Sequence, residues 1–182
     1  MLDVPPTSFL DPNKIVAAFG FERGEHVADF GAGHGFFAIP MARAVGGDGI
    51  VYAIDIQKSV LDIVRSRARA EHLLNIQPVW ADVEAAGGSR IKDRYIDFVL
   101  IANILFQAAD KQAVIREAHR ILREGGRLAL IEWNEAPAPL GPPAALRMKK
   151  STAVELCRNA GFSTMEEFDA GSHHYGLLFR RP

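Results

Sequence analysis

The chain has 182 residues, enough for one domain with a sizeable core. Hydrophobic residues make up 48% and charged residues 24%, a balance that excludes a disordered or fibrous chain. With 21 Lys and Arg against 22 Asp and Glu, no basic excess marks a nucleic acid as partner. The run Arg65, Arg67, Arg69 reads as the wet side of a helix. No apolar run approaches the ~20 residues that cross a bilayer, so no membrane span is expected. The segment Met1 to Leu10 lacks the basic start and apolar stretch of a signal peptide. The single Cys157 excludes an internal disulfide and suits a reducing interior. Lying near Val154 and Ala160, it fits packing better than nucleophilic attack. These features together predict a cytoplasmic enzyme or binding protein.

In chain order, Asp11-Pro12 opens a helix over 11–19, an N-cap followed by proline at the first helical position. His26 to Phe30 is a short apolar strand that ends in glycines. Phe37, Met41, Ala44 and Val45 recur at helical spacing, with Pro40 near the tolerated first turn and Gly46-Gly47 as the stop. Ile50 to Ile54 is the second strand, and Val60, Ile63, Val64 and Ala68 mark the next helix. Ile76 to Ala81 and Ile96 to Ala102 are the third and fourth strands; the latter is apolar enough to be covered on both faces. Val114, Ile115, Ala118, Ile121 and Leu122 predict an amphipathic helix halted by Gly125-Gly126, then a fifth strand over Arg127 to Trp133. A loop with Pro137, Pro139, Pro142 and Pro143 is too rich in proline for regular structure. Thr152 and Glu155 form a capping-box pair for a helix ending at Gly161. Strands near 162–169 and 174–180, joined through Gly171, are expected to be antiparallel neighbours. Alternating β and α units imply a doubly wound, Rossmann-like α/β domain over 1–182. Its parts are an N-terminal helical segment (1–25), a core (26–133) and a loop, helix and hairpin (134–182).

The informative stretch is HVADFGAGHGFF, residues 26–37, where a strand runs into Gly31-x-Gly33-x-Gly35 and then a helix. Such a turn sets a ligand over the strand's carboxyl end against free helix N–H groups, although a bare structural turn would look the same. The dinucleotide fingerprint places its third glycine where Phe36 stands, and a bulky residue there would obstruct close helix–strand approach. Asp29 adds a negative charge that opposes a pyrophosphate and favours a ligand carrying ammonium and sulfonium groups. Asp55 follows Gly35 by 20 residues, where an acid can accept hydrogen bonds from both ribose hydroxyls. Asp82 closes the third strand in WADV, placed for an adenine amino group, with the Val83 N–H facing the ring; a solvated strand-end acid fits Asp82 nearly as well.

These residues resemble the class I S-adenosylmethionine-dependent methyltransferases, in particular the small ubiquinone/menaquinone-biosynthesis-like, type 11 group. The likeness runs from about Glu25 to Trp133 through VADFGAGHG, AIDI, WADV, IDFVLIANILF and REAHRILREGGRLALIEW. It implies a seven-stranded sheet in the order 3-2-1-4-5-7-6 with strand 7 antiparallel. It also implies S-adenosylmethionine held by Asp29, Phe30, Gly31, Ala32, Gly33, Gly35, Asp55, Ile56, Asp82, Val83, Ala102 and Asn103. Asn103 is followed by Ile104-Leu105 rather than Pro-Pro-aromatic, which disfavours nucleobase or glutamine amines as acceptors. A lone cysteine disfavours arsenic.

The expected reaction is in-line methyl transfer to a small or lipid-like acceptor, giving S-adenosylhomocysteine. His34, Asn103, Glu132, His173 and His174 are candidate contacts, with a plain turn preferred for His173-His174. No metal motif or nucleophile elbow occurs, so neither a metal nor covalent catalysis is expected. Phe9, Leu10, Phe106 and Trp133 are candidates for an apolar acceptor pocket, together with loop 134–143 and segment 1–25. The alternatives are a scaffold that binds the cofactor without chemistry and a nicotinamide-dependent oxidoreductase.

Overall fold

A computed structural model describes residues 9–136 and 140–182. The expectations placed on segment 1–8, Pro137 and Pro139 lie outside them. The elements in order are α1 (Pro12–Ala18), β1 (His26–Phe30), α2 (Ala38–Val45), β2 (Ile50–Asp55), α3 (Lys58–Ala70) and β3 (Ile76–Trp80). They continue with β4 (Ile96–Ala102), α4 (Lys111–Ile121), β5 (Leu122–Trp133), α5 (Lys150–Asn159), β6 (Ser163–Phe168) and β7 (His174–Arg180). The seven strands form one sheet in the order β3-β2-β1-β4-β5-β7-β6. Strands β1 to β5 run parallel, and β7 is antiparallel to both β5 and β6, as the resemblance implied.

Two apolar layers sandwich the sheet. On one face α1 and α2 bury Ile15, Val16, Met41 and Val45 against Val27, Phe98 and Ile131. On the other, α4 and α5 bury Val114, Ile115, Ala118 and Cys157 against Phe30, Val99 and Leu130. Cys157 is packing: burial pushes its thiol up to about 12. β3, at the sheet edge, tolerates Pro78 because an edge strand leaves one row of N–H groups without a ladder. No described helix is long and apolar enough to cross a membrane.

Four local expectations change. In α3 the buried stripe is Leu61, Val64 and Ala68; Val64 and Ala68 fall where expected, while Leu61 takes the buried place given to Val60 and Ile63, and Ile63 stays 40% exposed. α4 stops at Ile121, not at the glycines. Its last carbonyls are taken by tertiary partners: the Arg94 and Tyr95 amides bond the Arg120 and Ile121 oxygens, and the Arg181 guanidinium bonds that of His119. Leu122 is already extended, and Gly125-Gly126 form an irregularity inside the long β5, where Ile96 pairs with Leu122 but Phe98 with Arg127. α5 begins at Lys150 with Lys149 as N-cap and no side-chain cap, so Thr152 and Glu155 lie inside the helix rather than framing its start. By contrast Asp11 caps α1 as its sequence predicts, accepting from the Asn13 and Lys14 amides.

Candidate active site

The strand order reverses between β1 and β4, and a cleft opens beyond the carboxyl ends of these two strands. β1 leaves the sheet at Gly31, whose N–H and that of Ala32 both donate to the Ile54 carbonyl at 2.9 Å. Gly31 has φ +72°, and a Cβ there would lie 2.3 Å from Cγ2 of Ile104, so no other residue fits beneath the turn after β4.

One side of the cleft is a cavity of about 420 Å³ with a mixed lining, the more polar of two, bounded by the ends of β2, β3 and β4. Asp55 stands at its edge, 9% exposed. Its Oδ2 accepts the Gly33 amide at 3.0 Å and its Oδ1 the Gln57 amide at 2.8 Å. Each oxygen carries a second lone pair, so the carboxylate is clamped yet retains capacity for a ligand. Asp82 and Val83 line the same cavity, and Oδ1 of Asp82 accepts the Glu84 amide at 2.9 Å.

The other side is an apolar cavity of about 570 Å³, walled by Phe9, Leu10, Phe37, Trp133 and His174 and reaching Asp29. Trp133 and His174 are opposite one another across β5 and β7, their rings 4.3 Å apart, and Phe9 closes on both at 5.5 and 5.6 Å. Asp29 is 2% exposed, and its Oδ2 has no partner. Burial, reinforced by the Asp55 charge and partly offset by the Ala38 amide, raises its carboxyl from 3.8 to about 7. The charge expected at Asp29 therefore depends on pH: the carboxyl is protonated below about 7 and ionised above it.

Among the described residues, four buried side-chain polar atoms lack a partner: Asp29 Oδ2, Asn103 Oδ1, Glu132 Oε2 and His174 Nδ1. An unsatisfied buried polar group costs ~1–3 kcal/mol, and three of the four residues line the apolar cavity. Glu132 sits behind it. Its Oε1 accepts the Leu105 amide at 2.7 Å, pinning the turn after β4, and burial raises its carboxyl to about 7. Asn103, at the end of β4, has φ +57°, a left-handed conformation that Asn tolerates better than most residues.

Ten of the twelve sequence-predicted residues line the cleft: Asp29, Gly31, Ala32, Gly33, Asp55, Ile56, Asp82, Val83, Ala102 and Asn103. Phe30 and Gly35 do not. Phe30 is fully buried in the core, and Gly35 packs on the far side of the turn, where a Cβ would meet Val64 at 3.3 Å. Close helix packing thus falls at Gly35. Phe36 is 61% exposed beside the apolar cavity and obstructs nothing, so the steric argument drawn from it does not hold. Asp82 lies two residues past the end of β3 rather than closing it. Phe9, Leu10 and Trp133 line the apolar cavity as expected and His34 joins them; Phe106 is not among its lining residues. His174 is no turn residue: it begins β7 and faces the cavity. Its pairing with Trp133 is the signal that would have found it, and that pairing exists only once the hairpin is placed.

The sheet order and the cleft at its switch point define a class I, Rossmann-like nucleotide-binding architecture. Residues 21–173 match a family described as a methyltransferase domain. Over 117 residues, 64% of this chain, it is 33% identical to the ubiquinone/menaquinone biosynthesis C-methyltransferase of Serratia proteamaculans and 32% identical to that of Vibrio campbellii. The match covers 45% and 44% of those two proteins, so this chain spans under half of their length. A putative type 11 methyltransferase from Sulfolobus solfataricus superposes with a TM-score of 0.78 at 26% identity, over 96% of this chain and 94% of that one. A SAM dependent methyltransferase from Aquifex aeolicus shares the fold with a TM-score of 0.87 at 23% identity, over 96% and 91%. The chain belongs to that methyltransferase-domain family and has the class I fold. The nicotinamide alternative falls with that assignment.

Proposed function

We propose that this chain moves a methyl group from S-adenosylmethionine in the polar cavity to a small or lipid-like acceptor in the apolar one. The observation that carries this reading is a shared wall: Gly31, Gly33, Ala102 and Asn103 line both cavities. A donor on one side and an acceptor on the other meet across bare backbone. The residues fit the donor's chemistry. Asp55 has lone pairs free for two ribose hydroxyls, and Asp82 with the Val83 amide faces the place of an adenine. The unpartnered, desolvated Asp29 carboxyl, which lines the apolar cavity beside the shared Gly31 and Asn103 wall, suits the ammonium and sulfonium end if that end of the donor reaches past this wall.

S-adenosylmethionine supplies a methyl group already activated by a positive sulfur. The chain's contribution is geometric: Asp55 and the glycine turn fix one partner, while Phe9, Leu10 and Trp133 confine the other. Holding reactants in line contributes at most about 7–11 kcal/mol. The names of the curated relatives specify C-methylation in quinone biosynthesis, which accords with a lipid-like acceptor.

Calorimetry with S-adenosylmethionine and with NADH tests the donor half. Binding of the first alone is expected, and binding of NADH alone overturns the reading. Labelled-methyl transfer into a lipid extract tests the acceptor half. Donor binding without any transfer, to that extract or to an aqueous one, leaves a cofactor-binding scaffold instead.

A further inference from the structure

Glu132, one residue before the end of β5, is a buried acid that the two-cavity function leaves without a task. It is 0% exposed, and no ion pair among the described residues includes it. Its cross-strand neighbour is Tyr175, whose hydroxyl donates to the Met148 carbonyl at 3.0 Å. A buried carboxyl with no cation costs the fold more than a leucine would, so packing does not account for it.

What the carboxyl holds is a turn. After β4 the Gln107 and Ala108 amides bond the Ile104 carbonyl at 3.2 and 3.1 Å, closing one turn over 104–108. The first amides of such a turn have no acceptor within it. Glu132 Oε1 takes the Leu105 amide at 2.7 Å, from 27 residues further along the chain. Burial raises the carboxyl, and the Leu105, Phe106, Trp133 and Ile104 amides act in the opposite sense. Accepting the Leu105 amide does not require charge, because a protonated carboxyl still offers its carbonyl oxygen.

The same turn forms part of the donor's side of the cleft. Ile104, Gln107 and Ala108 line the more polar cavity together with Ala102 and Asn103. Ile104 also fills the space that a side chain at Gly31 would need, its Cγ2 lying 2.3 Å from the place of a Cβ there. The turn has no room to move toward the glycines, and a move away from them opens the cavity wall.

We propose that Glu132 is a positioning residue for the methyl donor: its carboxyl, by capping the 104–108 turn, sets the cavity wall against which S-adenosylmethionine lies. The inference rests on the proposed donor site and deepens it, since Glu132 lines neither cavity and acts only through the turn.

The test is calorimetry with S-adenosylhomocysteine on the intact chain and two variants, each kept well below its denaturation midpoint. Glu132→Leu keeps much of the volume and removes the acceptor; it is expected to weaken binding about tenfold or more, because small misplacements of a wall are costly. Glu132→Gln, whose side-chain oxygen still accepts the Leu105 amide, is expected to restore affinity to within about threefold. A folded Glu132→Leu chain with unchanged affinity overturns the inference, since the acid would then serve the fold alone. Equal losses in both variants overturn it too, because charge rather than the cap would matter.

Hydrogen exchange in the unmodified chain decides the matter even if a variant fails to fold. The His26 amide is the control: Asp97 Oδ2 accepts it at 2.7 Å, at the opposite end of β1 from the cleft. Saturating S-adenosylhomocysteine is expected to slow exchange at Leu105 about tenfold more than at His26. Equal slowing at the two amides, or none, overturns the inference, while binding itself leaves the proposed function standing. Failure of S-adenosylhomocysteine to bind the unmodified chain overturns both.

Discussion

The two cavities that share the Gly31–Asn103 wall are built in opposite ways. The polar one is made of residues close to the ends of consecutive strands: Asp55 at the end of β2, Asp82 just beyond β3, Asn103 just beyond β4. Its carboxylate is held by backbone amides of the same turns, Gly33 and Gln57. The apolar one is assembled from segments far apart in the chain, with Phe9 before α1, Trp133 at the end of β5 and His174 at the start of β7. The first therefore depends on local turn geometry, and the second on the whole fold arriving correctly. Substitutions in the two should separate ligand affinity from stability.

The largest effect is expected at Trp133→Ala. The ring is 8% exposed, packs on Phe9 and His174, and lies 2.6 Å from where a Cβ on Gly141 would stand. Emptying that volume should cost about 3–5 kcal/mol, read as a lower denaturation midpoint at unchanged m-value. An unchanged midpoint would mean that the apolar cavity is not part of the cooperative fold.

Asp55→Ala should do the reverse. Loss of charge-assisted bonds worth roughly 1.5–3 kcal/mol each should weaken S-adenosylhomocysteine by at least about tenfold, with the chain still folded. Unchanged affinity removes Asp55 from the site.

Asp29 lines the apolar cavity beside the shared-wall residues Gly31 and Asn103, and its effect is tied to pH. Its carboxyl is raised to about 7, so below that value a cationic ligand must displace a proton. The affinity for S-adenosylhomocysteine, which carries an ammonium group, should rise up to about tenfold between pH 6 and 7 and level off above. 5′-Methylthioadenosine, which lacks that group, should show no such slope, and Asp29→Asn should abolish it. The same shift acts on the ligand-free fold. The folded chain keeps a proton that the unfolded chain releases above 3.8, so this contribution to stability is lost as pH rises toward 7. His174, lowered to about 4, acts oppositely, adding stability as pH rises from about 4 to 6.5. A pH-independent affinity for S-adenosylhomocysteine would place the ammonium away from Asp29.

The smallest effect is expected at Phe36→Ala. The ring is 61% exposed and stands 5.2 Å from the Arg67 guanidinium, so stability should change by no more than about 0.5 kcal/mol. A larger loss would revive the idea that position 36 governs helix–strand packing.

The contrast between the cavities also explains what the sequence made legible. Strand cores such as Ile96–Ala102 and the turn after Phe30 are local signals, so β1, β4 and the carboxylate at Asp55 could be read directly. Helix ends were less legible where tertiary partners set them. α4 stops where Arg181, at the far end of the chain, reaches its carbonyls, and Gly125-Gly126 mark only a later irregularity. α5 starts without the side-chain cap that Thr152 and Glu155 suggest. Phe36 misled because one residue's shift in the turn moves the close contact to Gly35. His174 escaped because its significance comes from Trp133 across β5–β7 and from Asn103 beyond β4, and neither neighbour is local.

The most direct measurement is a crystal structure of the chain with S-adenosylhomocysteine. The account predicts the ribose hydroxyls on the Asp55 carboxylate, the adenine between Asp82 and Val83, and the sulfur at the wall of Gly31 and Asn103, facing the Trp133–His174 chamber. A nucleoside bound elsewhere, or a sulfur pointing away from that chamber, would contradict it.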